Sequence, residues 1–512
     1  MPHYNLCDEL LDARVAAGFA DKPAFIDPFR TLTYSDLQAD SRRFARVLHR
    51  LGVRQEERVI LILADTVEFP VVFFGAARAG VLPVPINTLL TNEQYRYIID
   101  DSRAQAVVIS GPLFKGIEPA LRNHSDLRHV IVIGGEPHAP DLDFAVLMAE
   151  EDADFETVVT HADEPGFWLY SSGSTGMPKG TKHVHSSPAA TARLFGRGVI
   201  GMDEGDVVHS AAKMFFAYGI GNSIFFPMMA GATSVLNPLR PTPDVVFDIL
   251  SKYNPTVFCG VPTLFASMLH DQAIETRKCS SRLRLCTSAG ESLPRHIGEI
   301  WEQRFGAPIV DGVGSTEMLH VFLSNAPGDI VYGTSGQAVP GYRLRLIDEE
   351  GREASDGQVG ELHVAGPSAA EGYWNQREKS RSTFLGEWTR TGDKYYRDAQ
   401  GRYVYCGRAD DMFKVSGIWV SPMEIEAAIS THPAVLEAAV IAKKDDEGLL
   451  KPKAFVIVKE GVEPEGLADS IKAHVKASVG MWKYPRWIEI VSDLPKTATG
   501  KIQRHMLRES QK

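Results

Sequence analysis

The sequence predicts an α/β protein with largely parallel sheets and a separate C-terminal unit. Three observations carry this expectation. Short apolar runs alternate with amphipathic stretches through the N-terminal part of the chain. A glycine- and hydroxyl-rich segment, "YSSGSTGMPKGTKHVH", follows an apolar aromatic run at Tyr170. Composition then changes near "YCGRADDMFKVSG", after a Gly-, Val- and Tyr-rich stretch from about Gly333 to Tyr405 that reads as short strands.

In chain order, "TYSDLQADSRRFARVLHRLGV" reads as a helix. Ser35 and Gln38 have capping-box spacing, Leu37, Phe44, Leu48 and Leu51 share a face, and Gly52 is a stop. "ERVILILAD", "AQAVVIS" and "HVIVIGG" are short apolar runs that suit buried strands. Beyond the change in composition, "SPMEIEAAISTHPAVLEAAVIAKKD" shows an apolar helix face at Ile425, Ile429 and Val435, and "KAFVIVK" reads as a strand. The boundary is set near Asp410, giving domains 1–409 and 410–512. A C-terminal unit of about 100 residues is an ordinary small-domain size. There is no fixed-period repeat and no low-complexity tract.

The 512-residue chain is 44% hydrophobic and 23% charged, as expected of a protein with a sizeable core. Its net charge of −11 argues against a general nucleic-acid binder. A local pocket can still oppose that sign for a small anion. The five cysteines are odd in number and form no CxxC pair, which fits reduced thiols in the cytoplasm. The N-terminus has early acids and no long apolar run, unlike a signal peptide. The most apolar segment, "FPVVFFGAARAGVLPVPI", is interrupted by Arg78 and three prolines, so no membrane span is expected.

A run of glycines and hydroxyls can gather backbone N–H groups around phosphate oxygens, with Lys179 adding charge. A flexible surface loop has the same composition. The Walker pattern fails, because counting from Gly173 the required glycine position holds Pro178.

"YSSGSTGMPKG" resembles the signature loop of the adenylate-forming superfamily of acyl-CoA synthetases, peptide-synthetase adenylation domains and luciferases. "DGVGSTE" (Asp311 to Glu317), "TGD" (Thr391 to Asp393), "GRADDMFKVSGIWVSPMEIE" (Gly407 to Glu426) and "PKTATGKIQR" (Pro495 to Arg504) follow in the family's order and at its spacing. The resemblance covers nearly the whole chain. It implies a large N-terminal α/β domain with a β-rich subdomain and a small, mobile α+β C-terminal lid. It also implies a two-step reaction. A carboxylate attacks the α-phosphate of ATP to give an acyl-adenylate and pyrophosphate. A thiol, usually that of coenzyme A, then displaces AMP.

The resemblance assigns roles by position. Ser171, Ser172, Gly173, Ser174, Thr175 and Gly176 would wrap the β- and γ-phosphates, with Lys179 nearby. Thr316 would bond the α-phosphate and Glu317 would hold Mg²⁺. Ala289, Gly290, Glu291, Asp311, Gly312 and Val313 would line the adenine side. Val313 stands where many relatives carry an aromatic residue that stacks on adenine. Asp393 would accept the ribose hydroxyls, and Arg408 would contact ribose or phosphate. Lys501 matches the lysine that drives adenylation. Asp410 matches the lid hinge, and the loop around Gly417 matches the one that replaces Lys501 for thioester formation.

Phe216 stands where many relatives carry histidine. With Ala217, Tyr218, Ala289, Gly314, His320 and Val321, it resembles the benzoate–CoA ligase subgroup. Alanine and glycine at these positions leave a flat slot with apolar walls, suited to a small aromatic acid. Tyr218 and His320 could accept a ring hydroxyl, so hydroxy- and aminobenzoates stay open beside benzoate. "KYPRW" offers Lys483 and Arg486 to the phosphates of coenzyme A. A homodimer and a lysine acetyltransferase acting on Lys501 follow by family analogy only. Besides a CoA ligase for another small carboxylic acid, two other functions stay open. One is an aryl-acid adenylating enzyme that loads a carrier protein. The other is a nucleotide-binding regulator, against which Thr316, Glu317 and Lys501 together argue.

Overall fold

Runs of β-branched residues form the parallel strands that their composition predicts. In the computed structural model the described residues are 3–135, 137, 139–173, 176–409, 411–415, 418–447, 449–459, 461–462, 466–479, 483–496 and 502–511. The chain divides into two units. One comprises Met1–Arg343 with Val364–Thr389, and the other Leu344–His363 with Arg390–Lys512.

The larger unit contains two α/β sheets. Strands Arg58–Ile62, Leu82–Pro85, Ala106–Ser110, His129–Ile133 and Leu142–Asp143 form a parallel five-stranded sheet. A nine-stranded sheet has a parallel centre of Pro23–Ile26, Thr233–Val235, Val207–Ser210, Val257–Gly260, Leu285–Ser288 and Ile309–Gly314. Antiparallel strands close both edges. A third, three-stranded sheet carries the glycine-rich segment, whose described residues lie mainly in the antiparallel strands Pro165–Gly173 and Gly176–Val184. Phe167, Trp168 and Leu169 bury the first of those strands.

Two local expectations need correction. The first helix spans Tyr34–Arg50, and its capping box is Thr33 with Asp36, not Ser35 with Gln38. Ser35 Oγ instead donates to the Ala20 carbonyl, and Gln38 donates to Asp12. Tertiary contacts thus compete for side chains that could otherwise cap. In the smaller unit the helix stops at Ser430, and Val435 opens the strand Val435–Lys444. Pro433 has no N–H to continue the helix. Val435 still joins the core with Ile425 and Ile429, from a strand rather than a helix face.

Arg78 is fully buried at the end of an apolar helix. It is held by both carboxylate oxygens of Asp12 at 2.8 Å. A charge inside the most apolar segment therefore carries its own partner. The smaller unit contains the antiparallel pair Val435–Lys444 and Leu450–Val458, with Trp487–Ile490 added in parallel. Helices Pro422–Ser430 and Leu467–Val479 contribute Ile425, Ile429, Ile471 and Val475 to its core. Among the described residues no helix is long and apolar enough to cross a membrane.

Candidate active site

Ligands of open parallel sheets collect at the carboxyl ends of the strands. Three such ends of the nine-stranded sheet carry the sequence-predicted residues. Phe216, Ala217 and Tyr218 follow the strand ending at Ser210, and Ala289 to Glu291 follow Ser288. Asp311 to Gly314 end the next strand, with Asp311 beside Ser288 in register. Gly290 has φ +93°, a backbone conformation that a side chain would strain.

Thr316, Glu317 and Met318 form one tight helical turn. Its three successive carbonyls are each held from outside. Thr316 O accepts from His183 Nε2 at 2.9 Å, and Glu317 O accepts from the Ala370 N–H at 2.8 Å. Met318 O accepts from Ser368 Oγ at 2.7 Å. The turn ends at Leu319, whose φ of +66° is strained for a side chain of that size.

Lys179 lies on the second hairpin strand, opposite Ser171. Its Nζ donates to Glu317 Oε1 at 2.9 Å and to the Tyr373 hydroxyl at 2.7 Å. The Tyr373 hydroxyl donates to the same Oε1 at 2.8 Å. Burial raises the pKa of the Glu317 carboxyl, but the charge and hydrogen bond of Lys179 and the Tyr373 bond outweigh it. The net shift is downward, so the carboxylate is held ionised. Below the loop, the Tyr170 hydroxyl donates to Asp101 Oδ2 at 2.6 Å and anchors the hairpin. Ser171 Oγ is buried without a partner among the described residues. Ser172, Gly173 and Gly176 lie in the hairpin strands, whereas Ser174 and Thr175 lie outside the described residues.

Among the residues expected to line the nucleotide, Asp311 is buried, and its Oδ1 has no partner among the described residues. Burial pushes its pKa up to about 8, against the opposing pull of Ser288 and the Leu293 backbone. Val313 and Gly312 pair with Leu323 and Ser324 in register.

The candidate acyl pocket is aromatic. His320 packs against Phe226, Tyr218 and Phe195, with ring centroids 4.5, 5.3 and 5.6 Å away. Its Nε2 donates to the Tyr218 carbonyl at 3.2 Å, and its Nδ1 is buried without a partner among the described residues. Burial pushes the His320 pKa down to about 3, so the ring is neutral. The Tyr218 hydroxyl shares a hydrogen bond with Thr287 Oγ1 at 2.7 Å. Two glycines permit this packing. A Cβ at Gly221 would lie 2.3 Å from His320 Cδ2, and one at Gly314 would lie 2.5 Å from the His320 carbonyl oxygen. Val321 is buried and pairs with Gly314, so the pocket wall and the Thr316–Glu317 turn share one strand pair.

In the smaller unit Asp393 and Arg408 face each other across a hairpin, Arg408 Nη1 reaching Asp393 Oδ1 at 3.2 Å. Lys483 is bound by both oxygens of Glu424 at 2.8 and 2.7 Å. A phosphate at Lys483 must therefore displace or share that carboxylate. Arg486 stacks over Tyr484 at 3.8 Å. Asp410, Gly417 and Lys501 lie outside the described residues. Sequence reading missed Tyr373, His183, Ser368 and Thr287. Only the alternation of Lys179, Thr181 and His183 on one strand face hinted at any of them.

The family model described as AMP-binding enzyme matches residues 12–374, and that of the AMP-binding enzyme C-terminal domain matches 424–501. The chain belongs to the AMP-binding enzyme family. Within it the chain is similar to the 4-hydroxybenzoate–CoA/benzoate–CoA ligase of Rhodopseudomonas palustris, at 54% identity over 99% of this chain and 94% of that protein. It is 51% identical to the benzoate–CoA ligase of Thauera aromatica, over 99% and 96%. Among solved structures, a benzoate CoA ligase from Burkholderia xenovorans matches with TM-score 0.90 at 48% identity, over 99% of this chain and 100% of that one. An anthranilate CoA ligase in complex with anthranoyl-AMP matches with TM-score 0.94 at 40% identity, over 100% and 98%.

Proposed function

We propose that the protein is an ATP-dependent, AMP-forming aryl-CoA ligase. It converts benzoate, or a hydroxy- or amino-substituted benzoate, to its CoA thioester through an acyl-adenylate. The observation that carries this reading is one strand pair, in which Gly314 faces Val321 and which sets the candidate acyl pocket around the buried His320 and Val321 beside the Thr316–Glu317 turn. A ring held in that pocket presents its carboxylate toward the turn. The relatives' names support the substrate class.

In this reading Thr316 bonds the α-phosphate and residues 171–176 wrap the outer phosphates. Lys179 moves from Glu317 to a phosphate oxygen when ATP enters. Glu317, held ionised, fits a hard cation and would be the residue that holds Mg²⁺. Mg²⁺ bound there supplies charge neutralisation on the phosphates. Asp311 is taken to contact the nucleotide; that its Oδ1 is buried without a partner among the described residues supports this reading. Lys501 bridges the two reacting anions during adenylation. The lid then turns about Asp410 and brings the loop around Gly417 to the thioester step, with Lys483 and Arg486 toward CoA. Lys501→Ala should abolish adenylation and spare thioester formation from supplied acyl-adenylate. Asp410→Pro should impair thioester formation more than adenylation. These outcomes are read by running the two half-reactions separately.

Five free thiols support a reducing, cytoplasmic setting. A homodimer, and acetylation of Lys501 that erases its charge, extend the reading by family analogy. Light scattering and activity after acetylation test them.

The reading is tested by AMP release with ATP, Mg²⁺ and CoA across benzoate, its hydroxy, amino and fluoro derivatives, cinnamate, hexanoate and acetate. CoA-dependent turnover confined to the benzoates is expected. Turnover favouring hexanoate or cinnamate would remove the pocket assignment. A carrier-loading enzyme is the second reading. The 31% identity to a p-hydroxybenzoic acid–AMP ligase of Mycobacterium marinum favours it, and adenylate formation that CoA leaves unaccelerated would establish it.

A further inference from the structure

We propose that His183 is a positioning residue for adenylate formation, holding the Thr316 carbonyl and thereby aiming the Thr316 hydroxyl and the Glu317 carboxylate. The inference rests on the reading of Thr316 and Glu317 given above. His183 lies four residues after Lys179 on one strand, and alternation places both on one face. That face reaches the same turn twice, Lys179 at the Glu317 carboxylate and His183 at the Thr316 carbonyl.

The tautomer is fixed by chemistry. A carbonyl oxygen only accepts, so His183 Nε2 carries the hydrogen. The ring is fully buried and stacks on Phe167 at 5.1 Å and 18°. Burial pushes its pKa down to about 4, so it is neutral and adds no charge beside the phosphates. Nδ1 is then a bare acceptor, and it is buried without a partner among the described residues. An unpaired buried acceptor is a cost to the fold. An apolar ring would fill the same place without that cost. The Thr316 carbonyl would not be stranded, because it also accepts the Leu319 N–H at 3.1 Å. Histidine here is thus poor for stability alone, and what it adds is a second hold on Thr316. That hold matters because the turn runs directly into the strained Leu319. Strain of this kind persists only where the surroundings over-determine the conformation.

Two variants test this in the full-length protein. His183→Phe keeps the ring and its stacking and removes the donor. His183→Gln keeps an N–H near the position of Nε2. Adenylation is followed by benzoate-dependent ATP–pyrophosphate exchange, thioester formation by CoA consumption from supplied benzoyl-adenylate, and folding by the melting temperature. His183→Phe is expected to lower the adenylation kcat about 30-fold, the scale of a sub-ångström misplacement. Its KM for ATP should change less than about threefold, its thioester step less than about twofold, and its melting temperature should hold or rise. His183→Gln should recover most of the lost kcat. Equal loss in both variants, equal loss in both half-reactions, unchanged kcat in His183→Phe, or a melting temperature that falls with kcat would each overturn the inference. A wild-type protein that shows no exchange with any aryl acid would instead overturn the proposed function beneath it.

Discussion

The two halves of the candidate site are held in different ways. The Thr316–Met318 turn is fixed by directed bonds, with three consecutive carbonyls held from outside and the Glu317 carboxylate held by Lys179 and Tyr373. The candidate acyl pocket is fixed by packing, with His320 among Phe195, Tyr218 and Phe226 and two glycines that leave no room for a methyl group. Directed bonds fix where charge can be placed, and that governs rate. Packing fixes shape, and that governs which acid fits. Damage to the turn should therefore appear in kcat with every acid, and damage to the pocket in discrimination among acids.

The largest effect is expected at the turn. Glu317→Gln keeps shape and hydrogen bonding but removes the charge, and should lower adenylation about 100-fold or more with all acids alike. Pyrophosphate exchange measures it, and a loss that varied strongly among acids would erase the distinction between the halves. A smaller, selective effect is expected in the pocket. Gly221→Ala drives a methyl into the His320 ring, and overpacking of this kind costs about 1–3 kcal/mol. It should lower kcat/KM for benzoate about tenfold while leaving KM for ATP nearly unchanged.

The smallest effect is one of stability and involves both halves. Burial pushes His183 down to about 4 and His320 to about 3, from the ordinary 6.5. His185 and His209 are likewise pushed down to about 4 by burial. Between pH 6.5 and 4 the unfolded chain binds more protons at these rings than the folded one. Their stabilising contribution is therefore present above pH 6.5 and is lost as pH falls toward 4. Asp311 acts in the other direction. Its folded pKa is raised to about 8 by burial, so its contribution is present below the ordinary 3.8 and is lost as pH rises through 8. The melting temperature should fall on the acid side of neutrality. Asp311→Asn should flatten its decline between neutrality and pH 8, as thermal scans across pH would record.

The difference between the halves also explains what was legible in the sequence. Residues 311–317 are a contiguous motif, and the order and spacing of such motifs revealed the family and the fold class. Ile425 and Ile429 were readable as core because a helix repeats locally. The holds on the turn come from far along the chain. His183 bonds a residue 133 positions away, and Lys179 bonds Tyr373 across 194. Pairings of that range are set by sheet order, and no local pattern encodes them. The Thr33–Asp36 cap was missed for a related reason. Ser35 and Gln38 have valid capping spacing, but Ala20 and Asp12, brought in by the fold, take their side chains.

The most direct test of the account is ATP–pyrophosphate exchange by the wild-type protein with benzoate and without CoA. The account predicts exchange that requires benzoate, is absent with hexanoate and stops when Mg²⁺ is chelated. Exchange that proceeds without an acid, or absence of exchange alongside CoA-dependent AMP release, would contradict the acyl-adenylate formed at the Thr316–Glu317 turn.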